Sequence, residues 1–403
     1  MLEPQSTLFF VLLSAMFGAL MWWLTVAGHV AIRVLAACLA FVPAMVFGVA
    51  AVNKYYDYYQ NWSSAIADLT GQNLSVPVLL YVASRSRAQF NASLGSKGRG
   101  ELAVRGLVIR VIVAGPVSHI TRDSYVYLPP QYFQAAYRGY RFPVIELIPG
   151  FPGVPGDWIT VVGVDVILKN LISAGLAKPA VLLMPDASGG RDISLQCLNQ
   201  VGGPQDATYL AIDLPRYISS ALRVAPPGQA WGIAGFSEGG FCAANLGLQY
   251  PRTFGFSGVL SGYFTPSWNQ LGHRLVSPFD GSLRLQWANT PDYRVTALAQ
   301  AATLPRFWLG VGNADRSGVQ EASAFYALLR RLQPGVTFRL VPGGHSASTW
   351  RALLPPMLTW MTRGLAAAEA RAAAVPAIQP AAATARRGRH RAYTAVKSRL
   401  DGS

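Results

Sequence analysis

The chain begins with two long apolar stretches. Residues 8–28 contain no charged side chain, and residues 30–52 contain Arg33 alone. A helix of about twenty apolar residues crosses the roughly 30 Å hydrocarbon core of a bilayer. The pattern therefore predicts two transmembrane helices within residues 1–53, joined by a turn near residues 28–33. The alternative is one span followed by an interfacial or buried helix. A cleaved signal peptide is disfavoured because Glu3 is the only charge before the first apolar stretch ends.

Residues 54–100 have a mixed composition and are predicted to form a partly helical linker. Aromatic side chains are concentrated at its start, directly after the second apolar stretch. Side chains of this kind favour the interface between a membrane and water. An interfacial belt is therefore predicted for Tyr55, Tyr56, Tyr58, Tyr59 and Trp62.

Beyond residue 100, short apolar stretches alternate with stretches of helical periodicity. Two stretches of alternating polarity predict antiparallel strands, and the nearly continuous apolar runs that follow predict buried strands. The order predicts an α/β domain over residues 101–362, with a mostly parallel central sheet covered by helices on both faces. The predicted strands are residues 101–114, 119–128, 142–148, 180–184, 230–234, 256–260, 306–311 and 337–341, and the predicted helices are residues 158–174, 206–222, 240–249, 320–332 and 349–368.

An insert at residues 261–304 interrupts this alternation. It is irregular in pattern and carries several large aromatic side chains. We expect the insert to form a cap over a functional pocket, and the alternative is that its aromatic residues form a small core of their own. These residues are Phe264, Trp268, Phe279 and Trp287.

The C-terminal residues contribute a large part of the net charge of +15. Residues 363–403 are rich in Ala and Pro and then basic over residues 386–391. Such a composition cannot bury a core, so this tail is predicted to be disordered. We expect it to be solvated, and the alternative is electrostatic contact with anionic lipid or an envelope polymer. No nucleic-acid partner is expected, because the chain has no recognisable nucleic-acid-binding motif.

The position of Arg33 in the predicted turn indicates the orientation of the hairpin. Basic residues favour the cytoplasmic side, so the turn is predicted to be cytoplasmic and the large domain to lie outside the cytoplasm. This predicts a multi-pass protein of the cell membrane. In an oxidising compartment Cys197 and Cys242 can form a disulfide. The alternative for Cys242 is a small buried thiol on its helix.

Gly235-Phe236-Ser237-Glu238-Gly239 lies between the predicted strand 230–234 and the predicted helix 240–249. A Gly-x-Ser-x-Gly sequence at a strand-to-helix junction is typical of the nucleophile elbow of α/β-hydrolases. The turn is so sharp that the flanking positions must lack side chains, and it exposes the serine hydroxyl above the sheet. Ser237 is therefore the predicted nucleophile, and an acid and a histidine should follow it in the chain.

The chain has five histidines, and their positions narrow the choice of catalytic base. His29 lies at the membrane, His390 lies in the tail, and His119 precedes Ser237. His273 lies in the insert, before the strand that should carry the acid. His345 directly follows the last predicted strand, where the catalytic histidine of an α/β-hydrolase is expected.

Asp315 is the predicted acid of the triad. It follows the apolar strand 306–311, and the loops at the carboxyl ends of parallel strands converge on one site. Glu321, at the start of the next helix, is the alternative. In the predicted chemistry His345 accepts the proton of Ser237, and Asp315 orients the imidazole and stabilises its cation.

Two backbone N–H groups are predicted to form the oxyanion hole. One belongs to Glu238, the residue after the nucleophile. The other is expected from the loop after strand 142–148, where Pro149 and Pro152 have no N–H, so Phe151 is the candidate.

The sequence predicts no cofactor. It has no zinc-protease, phosphate-loop or dinucleotide motif. Asp186 and Asp192 suggest a metal site, but Asx turns in a loop that shapes the pocket are the favoured interpretation.

At this point the chain resembles the putative esterase family, which includes esterase D and the antigen 85 mycolyltransferases. The resemblance rests on residues 126–132, 143–153 and 235–240, on His345-Ser346 and on residues 350–360, and it spans residues 101–361. It implies an α/β-hydrolase with Ser237, Asp315 and His345 as nucleophile, acid and base.

The family usually has a small or apolar residue at the position of Glu238, and commonly His-Gly in place of Pro149-Gly150. The mycolyltransferases use glutamate as the acid and have no membrane hairpin. The Ala- and Arg-rich composition is similar to that of actinobacterial proteins.

These observations predict a membrane-anchored serine esterase that acts on an acyl ester of a lipid or of the cell envelope. One alternative is an acyltransferase of the mycolyltransferase type, which would use the same catalytic residues. A second alternative is a non-catalytic binding or scaffold protein built on a hydrolase fold.

Overall fold

A computed structural model describes residues 2–69, 78–81, 99–190, 192–297 and 304–374. The described residues up to 369 form one compact unit, which includes the N-terminal helices and the central sheet. Most of the predicted basic tail lies outside the described residues.

The two apolar stretches form an antiparallel helical hairpin, α1 (Thr7–Val26) and α2 (Val30–Tyr56). The ring of Phe10 near the start of α1 lies 5.1 Å from that of Phe47 near the end of α2, so both outer ends lie on one side. Mean hydropathy is 2.0 and 2.4 in the two helices, and only 6% and 22% of their most apolar windows are buried. Both helices are therefore long and apolar enough to cross a membrane, and their surfaces are largely free to face lipid. The turn is shorter than predicted, and Arg33 lies in α2, where its Nε donates a hydrogen bond to the Ala27 carbonyl at 2.8 Å.

A nine-stranded sheet forms the centre of the described domain. Its strands are β1 (Val78–Tyr81), β2 (Leu107–Ala114), β3 (Thr121–Leu128), β4 (Val144–Ile148), β5 (Val181–Pro185), β7 (Gly228–Phe236), β8 (Phe254–Leu260), β11 (Arg306–Gly312) and β12 (Thr337–Val341). They lie in the order β1-β2-β3-β5-β4-β7-β8-β11-β12. Strand β3 is antiparallel to both of its neighbours, and the other neighbouring pairs are parallel. This confirms the predicted α/β-hydrolase architecture and the antiparallel pair at its start.

A second, three-stranded sheet joins β6 (Ile193–Ser194), β9 (Asn269–Leu271) and β10 (Arg274–Val276). The helices after the hairpin are α3 (Trp62–Leu69), α4 (Arg99–Arg105), α5 (Asp157–Thr160), α6 (Val164–Ser173), α7 (Asp206–Thr208), α8 (Leu214–Ala221), α9 (Glu238–Gln249), α10 (Leu283–Ala288), α11 (Pro291–Ala297), α12 (Arg316–Leu332) and α13 (Ala347–Ala374). A π-helical turn (Tyr209–Asp213) connects α7 to α8, and two short 3-10 helices (Pro130–Phe133 and Ala135–Tyr137) follow β3.

Alternate residues of the central strands face two hydrophobic cores. On β4, Val144 and Ile148 pack on the side of α8 and α9, whereas Ile145 and Leu147 pack on the side of α6 and α13. Burial on both faces explains why this strand is apolar almost throughout. The exception is Glu146, which is fully buried. Burial raises the pKa of its carboxyl group well above the usual value.

Several predicted elements differ from those observed. Residues 101–105 form the end of α4 rather than a strand, because the chain turns at Gly106 with a φ of +78° before β2 begins. The predicted helix 158–174 is divided at Gly163, which has a φ of +72°. Each break uses a left-handed conformation that glycine adopts without strain.

The predicted domain boundaries also need correction. The linker 54–100 contains α3 and also β1, which extends the sheet by pairing with β2. The insert is not irregular throughout, since it supplies two strands of the small sheet and helices α10 and α11. Helix α13 continues to Ala374, so residues 363–374 of the predicted disordered tail are helical.

Candidate active site

The elbow holds Ser237 between the end of β7 and the start of α9. Its φ and ψ are 56° and −122°, an unusual conformation for a residue with a side chain. The neighbouring glycines are required by close backbone approaches. A Cβ on Gly235 would lie 2.1 Å from the Gly239 carbonyl oxygen, and one on Gly239 would lie 2.0 Å from the Ile148 carbonyl oxygen. The turn can therefore form only with glycine at both positions.

A continuous hydrogen-bonded chain links the three predicted triad residues. Ser237 Oγ lies 2.9 Å from His345 Nε2, and His345 Nδ1 lies 2.7 Å from Asp315 Oδ2. His345 is on the loop after β12, and Asp315 is the N-cap of α12, where its Oδ1 accepts a hydrogen bond from the Gly318 N–H at 3.1 Å. The loops at the carboxyl ends of three parallel strands thus bring together residues that are far apart in the chain.

The alternative acid, Glu321, is not at this position. It lies nearly two turns further along α12, at about 3.6 residues per turn, and borders a separate cavity with Tyr263 and Asp292. Burial raises the pKa of its carboxyl group, and so does the negative charge of Asp315. The structure brings Asp315, and not Glu321, to the imidazole of His345.

The loop after β4 passes directly against Ser237. A Cβ on Gly150 would lie 3.0 Å from the Ser237 Cβ, so a side chain at this position would press against Ser237. Phe151 borders the same cavity as Ser237, next to a cis bond to Pro152. Glu238 is the first residue of α9, and a backbone N–H at this position has no partner within the helix. Glu238 thus adjoins Ser237 in the chain, and Phe151 borders the same cavity as Ser237.

The side chain of Glu238 is held by the segment that contains β6. Its carboxylate accepts hydrogen bonds from the Ser194 hydroxyl and from the backbone N–H of Gln196. Burial raises the pKa of Glu238 to about 7, although both hydrogen bonds oppose this rise. The role of this side chain was not evident from the sequence, because Ser194 lies more than forty positions away.

Cys197 and Cys242 form a disulfide, with their Cα atoms 5.6 Å apart. The bond joins the segment after β6 to the first turns of α9. It therefore fixes the region that receives the Glu238 side chain to the helix that carries it. The free-thiol alternative for Cys242 does not apply to the structure.

A cavity of about 600 Å³ opens beside Ser237 and His345. One wall is formed by the loop after β4, Phe236 and Trp350. The other wall is formed by residues of α2 and of the segment that follows it. These are Val49, Val52, Asn53, Tyr56, Tyr58 and Tyr59.

The predicted cap is therefore corrected. Among the described residues of the insert, none borders this cavity. Phe264 instead stacks on Phe325 at 4.1 Å, and Phe279 packs near Phe241, while Trp268 is exposed.

Three of the tyrosines predicted to form an interfacial belt also line the cavity, which was not predicted from the sequence. Asn53, a polar residue within an apolar helix, was the signal in the sequence that pointed to this side of α2.

The alternative metal site is not supported. Asp186 Oδ1 accepts hydrogen bonds from the N–H groups of Ser188 at 3.1 Å and Gly189 at 2.7 Å, which is an Asx turn. Within the described part of the chain, no three His, Cys, Asp or Glu side chains form a group able to hold a metal ion.

Comparisons with known proteins agree with this architecture. The model of the putative esterase family matches residues 120–361. An uncharacterised protein of Corynebacterium glutamicum is 26% identical over 340 residues, which cover 82% of this chain and 76% of that protein. The MPT51 antigen of Mycobacterium leprae is 39% identical over 105 residues, which cover 25% of this chain and 34% of the antigen.

A solved structure shows the same fold. The fluorophosphonate-binding serine hydrolase F of Staphylococcus aureus superposes with a TM-score of 0.54 and 18% sequence identity. The superposition covers 64% of this chain and 98% of that protein. At this level of identity the likeness establishes the α/β-hydrolase fold alone.

Proposed function

The chain belongs to the putative esterase family, and on this basis we propose that it is a membrane-anchored serine hydrolase that cleaves acyl esters through an acyl-enzyme on Ser237. One observation carries the proposal, the hydrogen-bonded chain from Ser237 through His345 to Asp315. A base within hydrogen-bonding distance of a serine, itself oriented by a carboxylate, is the arrangement that activates a hydroxyl for attack.

In the first half of the reaction, the Ser237 hydroxyl gives its proton to His345 Nε2, and Oγ attacks the ester carbonyl carbon. The N–H groups of Glu238 and Phe151 stabilise the oxyanion that forms. His345 then returns the proton to the leaving alcohol as the carbon–oxygen bond breaks. The acyl group remains on Ser237.

Water completes the cycle. His345 accepts a proton from water, and the resulting hydroxide equivalent attacks the acyl-enzyme. The carboxylic acid leaves, and the proton returns to Ser237 Oγ. Asp315 keeps the imidazole in the required tautomer and stabilises its cation in both halves of the reaction.

We further propose that the catalytic domain lies outside the cytoplasm. The Cys197–Cys242 disulfide supports this location, because such bonds persist in oxidising compartments. The two apolar helices support anchoring in the cell membrane, and both of their outer ends lie on the side of the domain.

One experiment tests the nucleophile and the location together. Intact cells that express the full chain are treated with a membrane-impermeant fluorophosphonate probe, and the labelled residue is identified by mass spectrometry. We expect labelling of Ser237 in the wild type and none in Ser237→Ala. Labelling only after cell lysis would contradict the location, and a folded wild type that is never labelled would contradict the function.

Product analysis then separates hydrolysis from transfer, because the same acyl-enzyme can pass its acyl group to an alcohol instead of water. Hydrolysis predicts free carboxylic acid as the product even when an alcohol acceptor is present. An ester-cleavage rate that Ser237→Ala does not reduce would favour the scaffold alternative.

A further inference from the structure

The second apolar helix forms part of the wall of the active-site cavity. The residues that α2 contributes are Val49, Val52, Asn53 and Tyr56. Their spacing of three, four and seven positions places them along one face of a helix. The last two turns of the membrane helix thus face Ser237 and His345 across the cavity.

The end of α2 is attached firmly to the catalytic domain. Arg351 on α13 donates to the Asp57 carboxylate at 2.9 Å and to the Val161 carbonyl at 2.9 Å, which bridges the helix end and the domain. The Tyr58 hydroxyl bonds to the Asp157 carboxylate. These bonds hold the helix end against the catalytic domain, so the cavity wall is a fixed part of the site rather than a chance approach of a flexible tether.

The wall is continuous with the outer surface of the helix. Val49 and Val52 border the cavity, yet they are 68% and 59% exposed. Helix α2 is about 40 Å long at 1.5 Å per residue, longer than the roughly 30 Å hydrocarbon core. Its only charged residues are Arg33 and Lys54, so Val49 and Val52 lie on the apolar part near the end beside the catalytic domain. An apolar surface therefore extends from the exposed side of α2 to the cavity that borders Ser237.

We propose that the substrate is an ester that resides in the membrane, and that its acyl chain reaches Ser237 along the Val49–Val52 face of α2 without leaving an apolar environment. This inference rests on the proposed hydrolase function and specifies its substrate class. An acyl chain taken into water would lose its apolar contacts in proportion to its length. A cavity wall formed by α2 spares a lipid ester the free-energy cost of moving its acyl chain into water. A short, water-soluble ester has no long acyl chain, so the wall gives it no comparable advantage.

The test compares two esters with the full-length protein in phosphatidylcholine vesicles. One is p-nitrophenyl acetate, which is water-soluble, and the other is p-nitrophenyl palmitate, which partitions into the bilayer. Val52→Trp puts a larger side chain into the cavity from its α2 wall. Val34→Trp, at an exposed position near the opposite end of α2, is the matched control. We expect Val52→Trp to lower the ratio of kcat/KM for palmitate to that for acetate at least about tenfold, as changes in an apolar pocket commonly do. Val34→Trp should leave both values and their ratio unchanged.

The outcomes separate the inference from the function on which it rests. An unchanged ratio in Val52→Trp, or hydrolysis of acetate without hydrolysis of palmitate by the wild type, overturns the inference and leaves the hydrolase standing. A wild type that cleaves neither ester overturns the proposed function, and the inference with it.

Discussion

Glu238 follows the proposed nucleophile, and its backbone and its side chain have different partners. Its N–H, at the start of α9, is the proposed oxyanion donor, whereas its carboxylate bonds to Ser194 and to the Gln196 N–H. A negative charge so close to a developing oxyanion would oppose catalysis. Because burial raises the pKa of Glu238 to about 7, the group is protonated through a wider pH range than an exposed glutamate.

The raised pKa predicts a pH-dependent stability difference between the wild type and Glu238→Gln. A folded-state pKa above the usual 4.5 contributes stability that is present below pH 4.5 and is lost as pH rises through about 7. We therefore expect the glutamine variant to gain relative stability across this range, up to about 3 kcal/mol at alkaline pH. Thermal unfolding in detergent from pH 5 to 9 measures the difference.

Glu101→Gln removes an exposed carboxylate on α4 and controls for the change in net charge. A difference between wild type and Glu238→Gln that stays constant with pH would show that Glu238 does not titrate in this range.

At the scale of elements, the junction of β7 and α9 depends on how closely it meets the end of β4. Gly239 lies against the Ile148 and Pro149 carbonyl groups, and Gly235 lies against Gly239 itself. These contacts place the first turn of α9 beside the loop that carries Phe151. The same packing therefore exposes the nucleophile and brings the two proposed oxyanion donors close together.

Gly239→Ala should disrupt this junction. The added methyl group would lie 2.0 Å from a backbone oxygen, so α9 must move away from β4. We expect a loss of stability of about 1–3 kcal/mol or more. The displaced nucleophile should also be labelled by a fluorophosphonate about 100-fold more slowly.

Gly100→Ala is the matched control, since Gly100 is also helical and a Cβ there would meet no atom within 4 Å. Equal labelling rates in Gly239→Ala and Gly100→Ala would contradict the proposed role of the junction.

At the scale of the whole molecule, the N-terminal hairpin and the hydrolase domain meet at Arg351. Its guanidinium bonds to the Asp57 side chain and carbonyl and also to the Val161 carbonyl, and both carboxylate and guanidinium are largely buried. Buried ion pairs of this kind fix relative orientation, and removal of one partner leaves the other charge unpaired. The orientation of α2 toward Ser237 therefore depends strongly on this residue.

Arg351→Ala should loosen the wall of the cavity without removing any triad residue. We expect the palmitate-to-acetate ratio of kcat/KM to fall about tenfold, a loss equivalent to about 1.4 kcal/mol. Steady-state kinetics in vesicles measure the ratio. Arg363→Ala, on an exposed position of the same helix, serves as the control. A proportional loss of both activities would instead indicate general damage to the domain.

The sequence predicted most of what depends on local pattern. The spacing of glycines around Ser237, the apolar strand before Asp315 and the position of His345 after the last strand each follow from short stretches of chain. The structure places these three residues in one hydrogen-bonded chain. The sequence pattern also predicted the apolar hairpin and the alternating order of strands and helices, because the periodicity of apolar residues indicates which side of an element is buried.

Features that depend on contacts between distant segments were not accessible in this way. The strand β1 was missed although its residues are apolar, because it is only four residues long and lies within a linker of mixed composition. The insert was expected to cap the site because of its aromatic residues, yet composition does not tell which core an aromatic side chain joins. Ser194 and Glu238 likewise meet only through the fold.

The sequence by itself determined that this chain has an apolar hairpin, an α/β-hydrolase domain and one serine at a strained elbow, since these follow from periodicity and backbone sterics within a few residues. Only the tertiary structure decided that the end of the hairpin is a wall of the active-site cavity. Residues 49–59 and Ser237 are separated by about half of the domain along the chain, and their approach is fixed by Arg351, Asp57, Tyr58 and Asp157. No local pattern encodes such a contact, because it is the packed sheet that brings its partners together.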